Sequence, residues 1–274
     1  MWHDTRAEVT KLLHRPAGWL LLAIAVVLSL TFAYLVPYAG YAAGTSGPPN
    51  SDRGLPAMLP GEVVGSAIGG MPVFVGALAL VFGVLVVGSE YGWETWKTVL
   101  AQGSSRLSVY SAKVGAVALG TLVLVASLFA VAAAASAVVA VVEDQPLLWP
   151  AATDLLVGVG AGWLVTTMWA SLGVLLAVLL RSVAMPIGLG LVWLLAVQNL
   201  LTAIAAPLLD WVAQMQKGLP GPNAGSLVAS LGASPTTPGV DGLVGSGQAT
   251  MVLFGYTVVF TVVGGWLLTR RDIG

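Results

Sequence analysis

Cysteine is absent from this chain, which excludes disulfides, thiolate metal sites and cysteine nucleophiles. Charge is nearly as scarce. Asp, Glu, Lys and Arg together make up 8% of the residues, whereas a soluble domain carries about a quarter. Histidine occurs only at His3 and His14, beside the N-terminus, so a histidine metal site is not expected. A P-loop needs a glycine directly before its lysine so that backbone amides cradle phosphate. None of Lys11, Lys97, Lys113 and Lys217 follows a glycine, so ATP is not bound by that device. A net charge of −1 offers no basic surface to nucleic acid.

What the chain has instead is apolar length. Hydrophobic residues make up 57% of it, and the mean hydropathy is +0.92. Charges divide it into charge-free stretches at 16–51, 63–89, 114–142, 155–180, 182–209 and 242–269. Each exceeds the roughly 20 helical residues that cross a hydrocarbon core. The spacing predicts an all-α integral membrane protein, a single transmembrane domain over 1–274 with spans near 17–37, 64–88, 114–141, 155–179, 184–208 and 249–269. A central Leu, Ile, Val or Phe favours insertion by about 0.3 to 0.6 kcal/mol, and a central Arg costs about 2.5 to 3.5. No span interior holds an ionisable side chain. The first span is too long for the apolar region of a cleaved signal, about 7 to 15 residues.

Orientation follows from lysine and arginine placement. With both termini in the cytoplasm, Arg6, Lys11, Arg15, Lys97, Arg106, Lys113, Arg181, Arg270 and Arg271 lie inside, and only Arg53 and Lys217 outside. Nine against two fixes the expected topology, that of a multi-pass protein of a cytoplasmic membrane. The richness in Ala, Gly and Val points to a bacterial source.

Residues 1–16 form an expected interfacial helix. At about 100° per residue, Trp2, Val9, Leu12 and Leu13 share one side, while Asp4, Glu8, Lys11 and Arg15 share the other. Such a helix lies flat on the membrane with its charged side in water. The connection at 89–112 carries a second amphipathic pattern from Glu90 to Ala101. Trp93, Trp96 and Leu100 fall together; Glu90, Glu94 and Lys97 fall opposite, turned toward the cytoplasm. Gly103 ends it. On the far side, 210–248 is rich in Gly, Pro and Ser, with patterned pieces at 210–217 and 227–231. It reads either as a lid over an exit or as a mobile loop, its second piece apolar enough to dip into the membrane.

Ion-coupled transporters and intramembrane hydrolases need ionisable groups in the bilayer, so catalysis within this chain is not expected. The buried polar residues Thr166, Thr167, Ser171, Gln198, Asn199, Thr202, Thr257 and Thr261 are expected to hydrogen-bond between helices. Gln198, Asn199 and Thr202 are the candidates for a substrate pathway. Pro72 is expected to kink the second span.

The run from Gly88 through Ser89, Glu90, Tyr91, Gly92, Trp93, Glu94, Thr95, Trp96, Lys97, Thr98 and Val99 to Leu100, then Gly103-Ser104-Ser105-Arg106-Leu107 and Ala112-Lys113, resembles the type 2 ABC exporter permeases. In that family a Glu-aromatic pair after the second span leads to a Gly-Ser-Arg turn and a Lys opening the third. Glu8, Lys11-Leu12 and Arg15 before the first span, and Arg270-Arg271-Asp272-Ile273 after the sixth, fit the same pattern. Glu94 stands where that family commonly has Gly. The resemblance implies a dimer, or a pairing with a similar permease, docked through the coupling loop on a cytosolic P-loop ATPase that holds ATP and magnesium. It implies that Glu90, Tyr91, Trp93, Glu94, Trp96, Lys97 and Arg106 carry the ATPase contact. It also implies efflux of drugs, antibiotics, peptides or lipid-like molecules along an interface lined by the second and fifth spans. The alternative is a membrane scaffold or immunity factor that binds a partner without translocation.

Overall fold

The computed structural model describes residues 2–44, 54–92 and 105–270. Among them every regular element is helical. Helix α1 (Trp2–His14) precedes six helices long and apolar enough to cross a membrane: α2 (Pro16–Ala42), α3 (Pro60–Tyr91), α4 (Arg106–Val142), α5 (Ala152–Leu180), α6 (Ala184–Leu208) and α8 (Ser246–Arg270). The short α7 (Pro220–Ala229) lies between α6 and α8. The expected all-helical architecture with six spans stands, and this is a multi-pass membrane protein; the helix expected from Glu90 to Ala101 falls mostly outside the described residues. Helices α3, α4, α5 and α8 outrun the charge-free stretches at one end or both, whereas α2 and α6 stay within them. The 37 residues of α4 reach about 55 Å at 1.5 Å per residue, well beyond a hydrocarbon core of about 30 Å.

Helix α3 is the centre of the bundle. Its apolar window is 67% buried, with α5 next at 61%, against 17% for α2 and α6 and 22% for α8. The α3–α5 contact is close because each helix offers a glycine to the other's backbone. A Cβ on Gly83 would overlap the carbonyl oxygen of Ala170, and one on Gly173 that of Leu80. Trp169, fully buried, fills the space beside Gly76 on the same seam.

Prolines mark three of the wide turns among the described residues, while a fourth, Val192–Val197, has none within it or just after it. A proline lacks the N–H for its i−4 carbonyl and crowds that carbonyl, so the helix widens locally to accommodate it. Wide π turns stand at Thr31–Leu35 before Pro37, at Met71–Val75 around Pro72 and at Leu201–Ala205 before Pro207. The break expected at Pro72 is there, preceded by a turn at residues 69 and 70.

Buried hydroxyls mostly satisfy their own helix. Thr166 donates to the Gly162 carbonyl, Ser171 to Met168 and Thr257 to Leu253. The cross-helix bonds are fewer than expected: Thr121 with Thr167 at 2.8 Å, the Trp163 indole to Ala118 and the Tyr110 hydroxyl to the Thr261 carbonyl.

Candidate functional site

The chemistry-bearing residues gather where α1 meets the end of α3 and the start of α4. Spacing of i and i+3 puts Glu8 and Lys11 on one side of α1, and this side packs inward. Glu8 is 6% exposed, Glu90 1% and Lys113 not at all. The Lys113 ammonium donates to Glu90 Oε1 at 2.6 Å and to Glu8 Oε2 at 3.0 Å. Lys11 closes the ring, 2.8 Å from Glu8 Oε1 and 3.4 Å from Glu90 Oε1. Two carboxylates and two ammonium groups leave the cluster formally neutral, which is the condition under which charges tolerate burial.

The field inside the cluster is legible at its outer members. Burial alone would push the Glu8 carboxyl up, but the Lys113 charge and hydrogen bonds from Lys11 and Lys113 outweigh it and hold the group below the ordinary carboxylate value. Burial alone would lower Lys11. The hydrogen bond to Glu8 and the charges of Glu90 and Glu8 raise it instead.

Neighbouring contacts extend the fastening. Arg15 donates from Nη1 to Ser89 Oγ at 2.9 Å. Ser105 caps α4 by accepting from the Ser108 amide. One turn before Lys113, Tyr110 reaches α8 at the Thr261 carbonyl, 2.8 Å away. The end of α3 is thus fixed to α1, and the start of α4 to both α1 and α8.

This geometry corrects two expectations. The charged side of α1 does not lie wholly in water: Glu8 turns inward onto Lys113, Lys11 stays 40% exposed, and Leu13 on the apolar side is 57% exposed. Glu90 does not turn toward the cytoplasm either, because α3 carries it inward onto Lys113. Tyr91 follows it, half-buried against the core. Of the other expected ATPase contacts, Arg106 opens α4 half-exposed; Trp93, Glu94, Trp96 and Lys97 lie outside the described residues, as do Gly103 and the terminal Arg271-Asp272-Ile273. The grouping of Glu8 with Lys113 escaped the sequence. Its one signal was that Glu90 and Lys113 each abut the end of an apolar run; Glu8, inside α1, gave none.

On the opposite side of the bundle, Gln198, Asn199 and Thr202 line a cleft of about 450 Å³ with Pro72, Val73 and the 235–243 segment. Gln198 is buried and its Oε1 accepts the Gly221 amide at 2.8 Å, so it secures α7. Asn199 and Thr202 bond carbonyls of their own helix. Part of the 210–248 segment packs onto the bundle. Asn223, Ser226, Leu227 and Val228 are all buried. Ser226 Oγ donates to the Asp241 carbonyl and accepts the Leu243 amide, and Asn223 donates to the Lys217 and Leu219 carbonyls. Gly65 of α3 touches the backbone of Gly232, where any Cβ would overlap the Gly232 carbonyl. The expected dip of 227–231 thus ends in the bundle itself.

Residues 58–274 match DUF2705, a family of proteins of unknown function, and the chain belongs to that family. None of the curated proteins matches it. The matched stretch takes in Glu90, Lys113 and the cleft. Glu8 and Lys11, the other half of the charge cluster, precede it.

Proposed function

Within a family that carries no assigned activity, we propose that this chain is the membrane subunit of an ATP-driven exporter. It works with a separate cytosolic P-loop ATPase and a second permease copy, and moves a hydrophobic or amphipathic small molecule. The observation that carries the reading is the pair of fastened helix ends around 93–104. A segment driven by a partner's motion transmits force only if its roots do not yield. Here the roots are a buried ion cluster on one side and the Tyr110–Thr261 bond on the other. Trp93, Glu94, Trp96, Lys97 and Arg106 would meet the ATPase. Glu90 and Tyr91 would hold the base of the lever and leave the contact to others.

Two further features support it. The spans offer no mid-membrane ionisable group to bind a coupling ion, so the energy must come from a partner. The cleft between α3 and α6 is lined by amides, hydroxyls and prolines and also by Asp241, which suits amphipathic cargo. Helices α2 and α6, each with an apolar window only 17% buried, leave surface for the second copy.

The test is purification in mild detergent with identification of the soluble chains that come with it. A co-purifying P-loop ATPase whose hydrolysis rises with amphipathic compounds is the expected result. Exchanging the charges, Glu94→Lys with Lys97→Glu, should preserve insertion yet uncouple hydrolysis from transport. An isolated chain that transports alone, or no associated ATPase, overturns the reading.

A further inference from the structure

Among the described residues that line the cleft beside α6, one is ionisable, Asp241. It is exposed and stands at the end of the bundle away from α1, five residues before α8 begins. Gln198 lines the same cleft ten residues before α6 ends at Leu208. That is about 15 Å along the helix axis, about half-way through a 30 Å core. The cleft therefore runs from a charged rim to an uncharged interior. Pro72, Val73, Leu194 and Ala203 give it apolar wall along the way.

The polar side chains on α6 offer a ligand mainly acceptors. Asn199 donates to the Leu195 carbonyl and Thr202 to the Gln198 carbonyl, so what each holds out is oxygen. Gln198 Oε1 is taken by the Gly221 amide, which leaves its own N–H groups as donors at the inner end. The surroundings carry the same sign. At this end of the bundle the described residues include six carboxylates, Glu62, Glu143, Asp144, Asp154, Asp210 and Asp241, against the one ammonium of Lys217. Lys217 is hydrogen-bonded to Gln214 Oε1 at 3.1 Å, and Asp241 has no cation beside it among the described residues. A carboxylate set against apolar walls attracts a cation more strongly than one in open water. We infer that the cleft selects cationic amphipaths, with an ammonium group at Asp241 and an apolar body reaching between α3 and α6 toward Gln198. As cargo of an exporter such a molecule rests on the function proposed above; its binding to the cleft needs no ATPase.

The probe is dansylcadaverine, a fluorescent primary ammonium with an apolar body, set against its N-acetyl derivative, which keeps the body and lacks the charge. Each is titrated by fluorescence anisotropy into the whole chain in an uncharged detergent. Wild type should bind the ammonium about tenfold more tightly than the acetylated probe, the effect of one charge-assisted hydrogen bond. Asp241→Asn should level the two affinities. Asp210→Asn, at the same end of the bundle but off the cleft, should leave the preference intact. Ala203→Trp, at an exposed position of the cleft wall, should abolish binding of both probes by filling the space. Equal affinities in wild type, a preference kept in Asp241→Asn or lost as fully in Asp210→Asn, or binding untouched by Ala203→Trp overturns the inference. Should Asp241→Asn fail to fold, the wild-type comparison and Ala203→Trp decide it. A chain that prefers the ammonium yet brings no ATPase keeps the site and loses the exporter, and an ATPase-coupled chain without the preference does the reverse.

Discussion

Replacing Lys113 with methionine keeps the volume of the side chain and removes the charge that the Glu8 and Glu90 carboxylates share. At 2.6 and 3.0 Å, each contact is worth an attraction of about 6 kcal/mol at an effective dielectric of about 20. Much of that is offset by the several kcal/mol lost in desolvating each ion. What remains after removing one partner is the cost of an uncompensated buried charge, about 3 to 5 kcal/mol. Lys11 cannot take over, because it is 40% exposed and already spans both carboxylates. Equilibrium unfolding in mixed micelles measures the loss. The control is the triple variant, Lys113→Met with Glu8→Gln and Glu90→Gln, which leaves the partly exposed Lys11 as the one charge of the set. Removing both acids together with the base should recover most of the stability, since neutral replacement of a buried ion set is often close to harmless. A loss under about 1 kcal/mol for Lys113→Met, or a triple variant no better than the single one, would refute the cluster as a structural tie.

The remaining expectations use the same preparations. Glu8 titrates below its ordinary value in the folded protein, so its contribution is fully present above the unfolded pKa of about 4.3 and is lost as pH falls through the lower folded value. Lys11 is raised, so its contribution is present below about 10.4 and is lost only as pH climbs through its higher folded value. The stability gap between wild type and a Glu8→Gln, Lys11→Met variant should therefore be flat from about pH 5 to 10 and narrow in acid below that; a gap that changes near neutrality argues against this titration scheme. Gly83→Val should force α3 from α5 because its Cβ overlaps the Ala170 carbonyl; a loss of about 1 to 3 kcal/mol in micelle unfolding is expected, and an unchanged midpoint contradicts the close seam. Gln198→Leu removes the acceptor for the Gly221 amide, and leaving that amide unpaired costs about 1 to 3 kcal/mol. Hydrogen exchange at Gly221 should rise while exchange in α5 stays constant, and equal exchange in both proteins would show that Gln198 does not hold α7.

The spans were legible because the bilayer imposes one simple test, an uninterrupted apolar run, and charged residues such as Glu62, Arg181 and Asp241 punctuate the chain where runs end. Packing within the bundle was not legible. In lipid an apolar face says nothing about whether it meets a tail or another helix, so α3, which is central, and α2, which is peripheral, have nearly the same hydropathy. The same ambiguity misled the reading of α1. In water, the charged side of an amphipathic helix is the exposed one; at a membrane surface its apolar side is free to face lipid, and its charges may then turn toward the protein if counter-charges wait there. Those counter-charges, Glu90 and Lys113, lie 82 and 105 residues from Glu8 in the chain, beyond any periodicity. Composition also said little of how the 210–248 segment packs. Gly, Pro and Ser usually signal mobility, yet here they let the backbone approach closely: Gly232, at φ +88°, turns the chain so that its carbonyl meets Gly65. A charged side chain just beyond an apolar run, as Glu90 and Lys113 are, is therefore better read as half of a pair than as solvated.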